Sequence, residues 1–584
     1  MKNDEDIIVL GSGIAGSIVA LILRRLGMRV LVVERKTHPR FAIGESTVPT
    51  TTLLLGHLAK TYGVPELGQV AHYVGLRTNG CTAWPKQHFW YASHRPGEPL
   101  PRGHEQLFEG LLLPVGPEVH MLRADADAFL VGAYPKYGVE YVEETELVDL
   151  SAEPNRVTVR LRGPGGEERD VTANLVVDAT GHASFLAKRY GLRDDPPALE
   201  TNTRSIFGHF TGVADLDEVL GGVNPAFRFR RTAGTMHHCF RGGWIWVIPF
   251  DNGVTSVGAQ LDRRIYPLDP SVTAEQELAA LFARYPSVEA HFRGMTPVRP
   301  LVRTDRVQFT SKTILGDGFI LTPHAAAFIE PLFSTGILLT VAFAARFARA
   351  AKAAHVAKDW NVERFRSLDA HFQAEVKHID HLVDGMIQSF RDRDLFKQYW
   401  RNWVIGTFGQ WCTSVTSNGV PRDVPMLYGS AIPGFAEELA AAHAIVRRDD
   451  ADPAALAREL QQRADAWWAK VCDPVILGHG GVGLQATESL CVRNAGRPDL
   501  LLARLLRFAE EMRAVDRSFD PRHAERWMEA SGALLGAQQA EYHRSKSEGG
   551  AFALAYDRIF DAENAETFDY RAAIGLPARA NEPS

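Results

Sequence analysis

The N-terminal region of the chain contains two apolar runs separated by a glycine-rich turn. Residues 6–10 (DIIVL) predict a buried strand, residues 17–26 have the spacing of a helix, and residues 28–33 (MRVLVV) predict a second buried strand. A strand, a helix and a second strand within about 30 residues form a βαβ unit with parallel strands. The pattern therefore predicts an α/β fold that begins with residues 6–34.

The rest of the chain divides into a strand-rich part and a helical part. Alternating aromatic and β-branched residues over 203–262 are typical of an antiparallel sheet. From about residue 335 onward, Ala, Leu, Arg and Glu recur at helical spacing. Shorter segments predict a helix at 50–62, strands near 139–149, 156–161 and 171–178, and linkers near 413–433 and 473–487.

These patterns give a prediction for the domains. We expect a core of residues 1–345, in which sheet regions near 73–122 and 200–310 are interleaved with the βαβ unit. Residues 346–584 are expected to form a mainly helical C-terminal region that covers the substrate side of the core.

Composition narrows the class of protein. Hydrophobic residues are 45% and charged residues 23% of the 584 positions, as in globular proteins and unlike disordered chains. With 64 basic and 70 acidic residues the formal net charge is −6, which gives no reason to expect a nucleic-acid partner. The five cysteines show no CxxC or Cys/His ligand spacing, so we expect no zinc module and no other metal site.

The sequence also bears on localisation. The N-terminus, MKNDEDIIVL, is acidic and leads directly into an apolar strand, unlike a signal peptide. The apolar stretch 337–345 is much shorter than the ~20 residues that span a bilayer. A small, odd number of cysteines suits a reducing compartment. We therefore expect a cytoplasmic protein without a membrane partner.

The turn after the first strand matches the GxGxxG pattern of dinucleotide-binding folds. Gly11 permits the tight turn, Gly13 lets the backbone approach a pyrophosphate, and Gly16 lets helix and strand pack closely. Glu34 ends the second strand, where a carboxylate accepts hydrogen bonds from a ribose. The alternative is a glycine-rich turn that binds nothing.

A second GxGxxG occurs in GHGGVG, at Gly478, Gly480 and Gly483. No acidic residue ends a strand about 20 residues later, as the fingerprint requires. We interpret this segment as a flexible loop, so the chain is expected to carry one dinucleotide site.

Three further segments indicate which dinucleotide binds. Residues 38–46 (HPRFAIGES), 122–127 (LRADAD) and 177–181 (VDATG) resemble motifs of FAD monooxygenases and flavin-dependent halogenases. This resemblance implies the FAD-binding hydroxylase-like (GR2-type Rossmann) fold, with an antiparallel sheet on the substrate side. The implied FAD-binding residues are Gly11, Gly13, Ala15, Gly16, Glu34, Arg35, Arg40, Gly44, Glu45, Ser46, Arg123, Asp178 and Gly181.

The segment 243–249 (GWIWVIP) is similar to the signature of flavin-dependent halogenases. The resemblance is strongest to the subgroup that acts on aminopyrrolnitrin precursors and tetracyclines, and it covers most of residues 5–345. It implies that Trp244 and Trp246 form a barrier that keeps the organic substrate away from the flavin. The alternative is a strand with two core tryptophans on one face.

The halogenases use a lysine that lies between the GES motif (residues 44–46 here) and the arginine–aspartate motif (residues 122–127). Lys60 and Lys86 are the only lysines between residues 47 and 122. Lys60 falls on a predicted amphipathic helix, whereas Lys86 lies among aromatic residues in AWPKQHFW, which resembles the catalytic-lysine segment. Desolvation there would lower its pKa. We predict that Lys86 is catalytic; the alternative is a surface lysine in a loop.

The segment 329–336 (IEPLFSTG) resembles the halide-binding turn of the halogenases. The resemblance implies that Thr335 and Gly336 bind the halide; an ordinary helix cap by Ser334 is compatible with this. Phe333 replaces the glutamate of tryptophan halogenases, which argues against free tryptophan as the substrate. The general base is unassigned, and His88, Glu109 and Glu118 are candidates by position.

Together, these resemblances predict an FADH2-dependent halogenase. Such an enzyme would form HOCl or HOBr from O2, a chloride or bromide ion and the flavin C4a-hydroperoxide, and would pass it to Lys86 to halogenate an electron-rich phenol or pyrrole. We expect a separate NAD(P)H-dependent flavin reductase and a small aromatic substrate, free or tethered to a carrier protein. The alternatives are an FAD-dependent aromatic monooxygenase and a flavin-fold protein that only binds partners.

Overall fold

The computed structural model describes residues 4–101, 104–109, 118–224, 227, 229–467, 470–471, 489–490, 498–527, 544–545 and 548. The strands, in chain order, are β1 (Ile7–Leu10), β2 (Val30–Val33), β3 (Ala83–Lys86), β4 (His88–Ser93), β5 (Glu105–Glu109), β6 (Glu118–Met121), β7 (Glu140–Val142), β8 (Glu146–Glu153), β9 (Arg156–Arg162), β10 (Glu168–Ala173), β11 (Leu175–Asp178), β12 (Thr203–Thr211), β13 (Gly234–Phe240), β14 (Gly243–Pro249), β15 (Thr255–Asp262), β16 (Thr296–Pro297), β17 (Val302–Arg303), β18 (Leu315–Gly316), β19 (Phe319–Leu321) and β20 (Ser489–Leu490).

The helices connect and cover these strands. In chain order they are α1 (Ile14–Arg25), α2 (Pro49–Tyr62), α3 (Pro65–Gln69), α4 (Tyr73–Thr78), α5 (Arg123–Gly132), α6 (Tyr134–Tyr137), α7 (Phe185–Arg189), α8 (Leu216–Val219), α9 (Ala274–Phe282), α10 (Pro286–Phe292), α11 (Pro323–Ala326), α12 (Thr335–Ala357), α13 (Arg366–Ser389), α14 (Arg393–Thr416), α15 (Phe435–Val446), α16 (Pro453–Trp467) and α17 (Pro498–Arg513).

The first sheet is the predicted dinucleotide-binding sheet. Its strand order is β18-β19-β11-β1-β2-β7, and every neighbouring pair is parallel except β18 and β19. β1 and β2 are buried on both faces, which explains why their residues are continuously apolar. β1 lies in the centre, so the glycine turn at its carboxyl end opens between β2 and β11, where ligands bind in such sheets.

The second sheet carries the predicted substrate side. Its order is β16-β12-β15-β14-β13-β4-β5-β20, with β17 beside β12, and most pairs are antiparallel; β4 with β13 and β5 with β20 are parallel. On β14, Trp244 and Trp246 belong to one hydrophobic core and Ile245 and Val247 to the other. The predicted alternation is therefore confirmed, and the two indoles share one face of the sheet.

Two smaller sheets complete the core. β8, β9 and β10 form an antiparallel meander. β3 and β6 form an antiparallel pair in which Lys86 lies directly opposite Glu118. This register brings together two candidate residues that lie more than thirty positions apart in the chain.

The C-terminal region is helical, as predicted. Phe396, Trp400 and Trp403 recur on α14 at the spacing of one helix face and contact aromatic residues of β4 and β5. α12 runs across residue 345, so the core and the C-terminal region share this helix. The second GxGxxG, at 478–483, lies outside the described residues. Within the described part of the chain, no helix is both long enough and apolar enough to span a bilayer.

Candidate active site

The N-terminus of α1 is shaped to receive a phosphate group. Gly11 has a φ of +96°, and a Cβ atom there would lie 2.6 Å from the carbonyl oxygen of Ala179. A Cβ atom on Gly16 would lie 1.9 Å from the carbonyl oxygen of Gly11. The helix begins after Gly13, which offers no capping side chain, and the first turn, which includes the buried Ala15, contains no acidic residue. The amides of this turn are therefore available to an anionic ligand.

Glu34 is held in place at the end of β2. Its carboxylate accepts hydrogen bonds from the amide and hydroxyl of Ser12 at 3.0 and 3.1 Å and from the amide of Lys36 at 2.9 Å, and lies 3.3 Å from the Arg40 guanidinium. Burial alone would raise the pKa of Glu34, but these hydrogen bonds and the charge of Arg40 bring it below its usual value. The carboxylate is thus ionised and oriented, while the neighbouring Arg35 is exposed.

Arg123 organises the loop that contains the GES motif. Its guanidinium forms a bidentate ion pair with Asp127, at 2.9 and 3.1 Å. It also donates to the carbonyl oxygens of Ile43 and Gly44, at 2.8 and 3.2 Å. Gly44 has a φ of +88°, which favours glycine at this turn. Arg123 therefore fastens this loop to α5.

Asp178 holds the turn that follows β11. Its buried carboxylate accepts hydrogen bonds from the amide and hydroxyl of Thr180, at 2.9 and 2.6 Å, and from the amide of Leu186 at 2.8 Å. Gly181 continues the turn with a φ of +60°. These contacts give Asp178 a structural role in shaping the wall opposite Gly11.

The GES motif contacts the second sheet. Glu45 contacts the imidazole of His209 at 2.7 Å, on β12. The Ser46 hydroxyl lies 3.0 Å from the hydroxyl of Thr235 on β13, which in turn lies 2.9 Å from Nε2 of His120 on β6. The motif therefore links the predicted flavin-binding loop to the sheet that carries the indoles.

Lys86 lies at the junction of this loop and the second sheet, with its side chain fully buried. Its Nζ atom donates to the carbonyl oxygen of Thr47 at 2.5 Å, lies 3.1 Å from Oε2 of Glu118, and sits 3.4 Å from the centroid of the Phe89 ring. Burial lowers the pKa of Lys86 to about 8, although the adjacent carboxylate acts in the opposite direction. Lys60, by contrast, is exposed on α2.

A series of neighbouring aromatic rings connects Lys86 with the tryptophans of β14. The ring of Phe89 stacks on His237 at a centroid distance of 6.0 Å, and His237 lies 5.3 Å from Trp244. Trp244 lies 5.9 Å from Trp246. The predicted lysine and the predicted indoles therefore belong to one continuous aromatic wall.

The indoles are fixed by hydrogen bonds. Trp244 Nε1 donates to Oε1 of Glu330 at 2.7 Å, and Trp246 Nε1 donates to the hydroxyl of Ser256 at 3.2 Å. The second oxygen of Glu330 accepts from the amide of Leu332 at 2.6 Å. Glu330 therefore joins the first indole to the turn that precedes α12.

That turn is the predicted halide site. Ser334 occupies the N-cap position of α12 in the left-handed region, with a φ of +52°, and its side chain makes no capping hydrogen bond. The Ser334 hydroxyl therefore does not cap the helix, unlike in an ordinary helix N-cap. The amides of Thr335 and Gly336 are the first two of α12. A Cβ atom at Gly336 would lie 2.6 Å from Nε2 of the half-buried His324, so only glycine fits there without a shift.

Helix α14 closes the aromatic wall from the C-terminal region. Trp403 stacks on Phe333, with centroids 5.1 Å apart, and meets the edge of Phe89 at 5.2 Å. The hydroxyl of Tyr428 donates to the carbonyl oxygen of Phe333 at 3.1 Å. These contacts were not predicted from the sequence. The helical spacing of aromatic residues on α14 was the one sequence feature that indicated an aromatic face on this helix.

Comparisons with known proteins agree with this arrangement. A tryptophan halogenase family model matches residues 114–403, and an FAD binding domain model matches residues 4–209. Monodechloroaminopyrrolnitrin halogenase PrnC of Pseudomonas fluorescens is 36% identical over 418 residues, which are 70% of this chain and 72% of that protein. The chain belongs to the flavin-dependent halogenases.

Other halogenases extend the comparison. Tetracycline 7-halogenase of Kitasatospora aureofaciens is 35% identical over 410 residues, covering 68% of this chain and 72% of that protein. The crystal structure of halogenase PltM in complex with phloroglucinol and FAD shares 27% identity with a TM-score of 0.74, covering 80% of this chain and 97% of that one. These relatives confirm the predicted family, fold class and activity, and do not favour the monooxygenase alternative.

As a flavin-dependent halogenase, the protein uses FAD, a halide ion and O2 to halogenate an aromatic substrate. The residues at the carboxyl end of β1 fit FAD, because Gly11 and Gly16 leave no space for a side chain and the Glu34 carboxylate is aligned beside the open end of α1. Family membership also excludes the alternative of a protein that only binds partners.

Proposed function

We propose that this halogenase passes hypochlorous or hypobromous acid to Lys86, which halogenates an electron-rich phenol or pyrrole. The observation that carries this proposal is the full burial of Lys86 beside Phe89, at one end of the aromatic wall that includes Trp244. A buried amine with a lowered pKa is available as a nucleophile near neutral pH.

The proposed cofactor site is assembled around the carboxyl end of β1. Bound in its reduced form, the flavin would activate O2, which supplies the oxidising equivalents that convert halide to hypohalous acid. We assign its pyrophosphate to the amides at Gly11, Gly13, Ala15 and Gly16, and its ribose to Glu34. Arg35, Arg40, Gly44, Glu45, Ser46, Arg123, Asp178 and Gly181 complete the proposed site, directly or by shaping its loops.

The halide is assigned to Thr335 and Gly336. The first amides of α12, a helix of 23 residues, are oriented toward the turn, and the positive end of the helix favours an anion. Glu330 connects this turn to Trp244, so the proposed halide site and the proposed barrier are adjacent. In this arrangement Trp244 and Trp246 keep an aromatic substrate from the place where the oxidant forms.

The substrate proposal follows from the wall around Lys86. Phe333, stacked on Trp403, stands where tryptophan halogenases carry a glutamate, so the site offers aromatic surface there. An electron-rich ring suits this site because it needs little assistance to react with an electrophilic halogen. The structure of PltM was determined with phloroglucinol, a phenol. Two relatives act on pyrrole carried by a peptidyl-carrier protein, so a tethered substrate is a second form that the test includes.

Purified protein tests this proposal with FAD, NADH and a separate flavin reductase, which we propose as its electron donor. Phloroglucinol, pyrrole-2-carboxylate and a pyrrole-loaded carrier protein are offered with chloride, with bromide and without halide. We expect products with the isotope pattern of the added halogen, and none without halide. Oxygenated products that form equally without halide would contradict the proposal.

A further inference from the structure

A buried carboxylate faces the proposed catalytic lysine. β6 pairs with β3 so that Glu118 lies directly opposite Lys86, and cross-strand partners on one face place their side chains close together. Oε2 of Glu118 lies 3.1 Å from Nζ of Lys86, and the side chain of Glu118 is 1% exposed. Among the described residues, none donates a hydrogen bond to Oε1 of Glu118. This oxygen is therefore a buried acceptor that has no donor among the described residues.

Among the described residues, three imidazoles also interact electrostatically with Lys86. Burial brings the pKa of His88 and of His237 to about 3, and that of His120 well below its usual value. These rings are therefore uncharged near neutral pH, whereas burial raises the pKa of Glu118 to about 7 against the opposing effect of Lys86. Within the described residues, Glu118 is the carboxylate that pairs with this amine.

The remaining candidate bases are placed less favourably. Nε2 of His88 donates to the carbonyl oxygen of Arg230 at 2.8 Å, and its ring stacks against Phe229 at 6.4 Å. Glu109 pairs with His88 along the backbone of β5, and its side chain lies outside the described part of the structure.

We propose that Glu118 is the proton-transfer partner of Lys86 and accepts the proton that leaves the aromatic ring. This inference rests on the proposed role of Lys86. It assigns a general base from another part of the chain, since Phe333 stands in place of the glutamate of tryptophan halogenases.

In the proposed reaction, Glu118 and Lys86 exchange one proton while chlorine passes from HOCl through Lys86 to the ring. Glu118 first takes a proton from the Lys86 ammonium, and the free amine reacts with HOCl to give a chloramine and water. Glu118 returns its proton to the chloramine nitrogen, and Cl⁺ passes from nitrogen to a ring carbon, which leaves a neutral amine. The Glu118 carboxylate then removes the ring proton and passes it back to the amine. The sum is ArH + HOCl → ArCl + H2O.

Glu118→Gln tests this proposal because glutamine has the same shape but cannot accept the proton. Resorcinol is the probe for chlorination, and monochlorodimedone captures free HOCl. We expect chlorination of resorcinol to fall ~100-fold, a typical contribution of a general base, while HOCl formation is unchanged. Glu118→Asp should recover part of the rate. Glu66→Gln, which removes a glutamate from the Lys136–Glu66 ion pair, is the matched control and should chlorinate normally.

An isotope effect separates proton removal from a structural role. With 2,4,6-trideuterated resorcinol, we expect no primary isotope effect in the wild type and a clear one in Glu118→Gln, because loss of the ring proton becomes rate-limiting. Wild-type chlorination by Glu118→Gln would overturn the proposal. The proposal would also be overturned if both Glu118 variants lost chlorination and HOCl formation equally. A reduced rate of chlorination in Glu118→Gln without an isotope effect would overturn it as well.

A second readout needs neither flavin nor turnover. The ¹⁵Nζ resonance of Lys86 is followed against pH in ¹⁵N-lysine-labelled, flavin-free protein and assigned by its loss in Lys86→Met. We expect the pKa of Lys86 to fall further in Glu118→Gln, because the opposing carboxylate is gone, and to stay unchanged in Glu66→Gln. An unchanged pKa in Glu118→Gln would contradict the pairing. If wild-type protein forms no halogenated product, the proposed function fails instead, whatever this titration shows.

Discussion

At the scale of single residues, Glu330 links Trp244 to the turn before α12, a role that its motif does not predict. It accepts the N–H of Trp244 with one oxygen and the amide of Leu332 with the other. Burial nonetheless raises its pKa to about 8. A carboxyl group that ionises near its ordinary pKa in the unfolded chain but near 8 in the folded chain opposes folding as pH rises between those two values.

This gives a prediction for Glu330→Gln. Relative to this variant, the wild type should lose free energy of unfolding as pH rises from 5 to 8, by at most about 1.4 kcal/mol per pH unit. Below about pH 4 the difference should level off, because Glu330 is then mostly protonated in both states. Urea unfolding of the two proteins across this pH range measures the difference. A difference independent of pH would show that Glu330 is not held in a desolvated site.

At the scale of elements, α1 packs closely against the glycine turn to which we assign the pyrophosphate of FAD. A Cβ atom at Gly16 would overlap the backbone oxygen of Gly11, which cannot rotate away as a side chain does. α1 would then have to move away from β1, and its amides would no longer point at the proposed phosphate site.

Gly16→Ala should therefore weaken FAD binding on the order of 100-fold, which corresponds to ~2.7 kcal/mol. Quenching of flavin fluorescence during titration measures the affinity. Gly132→Ala on α5 is the matched control, since a Cβ atom there meets nothing within 4 Å. Its affinity should equal that of the wild type. Wild-type affinity in Gly16→Ala would contradict the assigned phosphate site.

Local sequence patterns predict some of these elements and their faces, but not the contacts between distant elements. The βαβ unit, the alternation of Trp244 and Trp246, and the aromatic surroundings of Lys86 follow from local patterns, and the structure confirms all three. The contact of Trp403 with Phe89 joins residues more than three hundred positions apart, and no local pattern specifies such a pairing. The pairing of Glu118 with Lys86 likewise depends on a strand register that the sequence does not reveal.

At the scale of the whole molecule, residues from three parts of the chain form one wall. The loop after the GES motif contributes the carbonyl of Thr47, the second sheet contributes Phe89 and Trp244, and α14 contributes Trp403. In the proposed function, this wall separates the place where the oxidant forms from the place where the aromatic ring reacts. The central claim is that Lys86 carries the halogen across this separation.

Lys86→Met tests that claim most directly, with Lys86→Ala as a second variant and Lys60→Met as the control on the exposed face of α2. In one assay with the reductase, chloride and resorcinol, free HOCl is captured by monochlorodimedone and chlorinated resorcinol is measured by mass spectrometry. We expect both Lys86 variants to form HOCl at the wild-type rate and to lose chlorination of resorcinol, while Lys60→Met retains both. Chlorination at the wild-type rate by either Lys86 variant would contradict the claim.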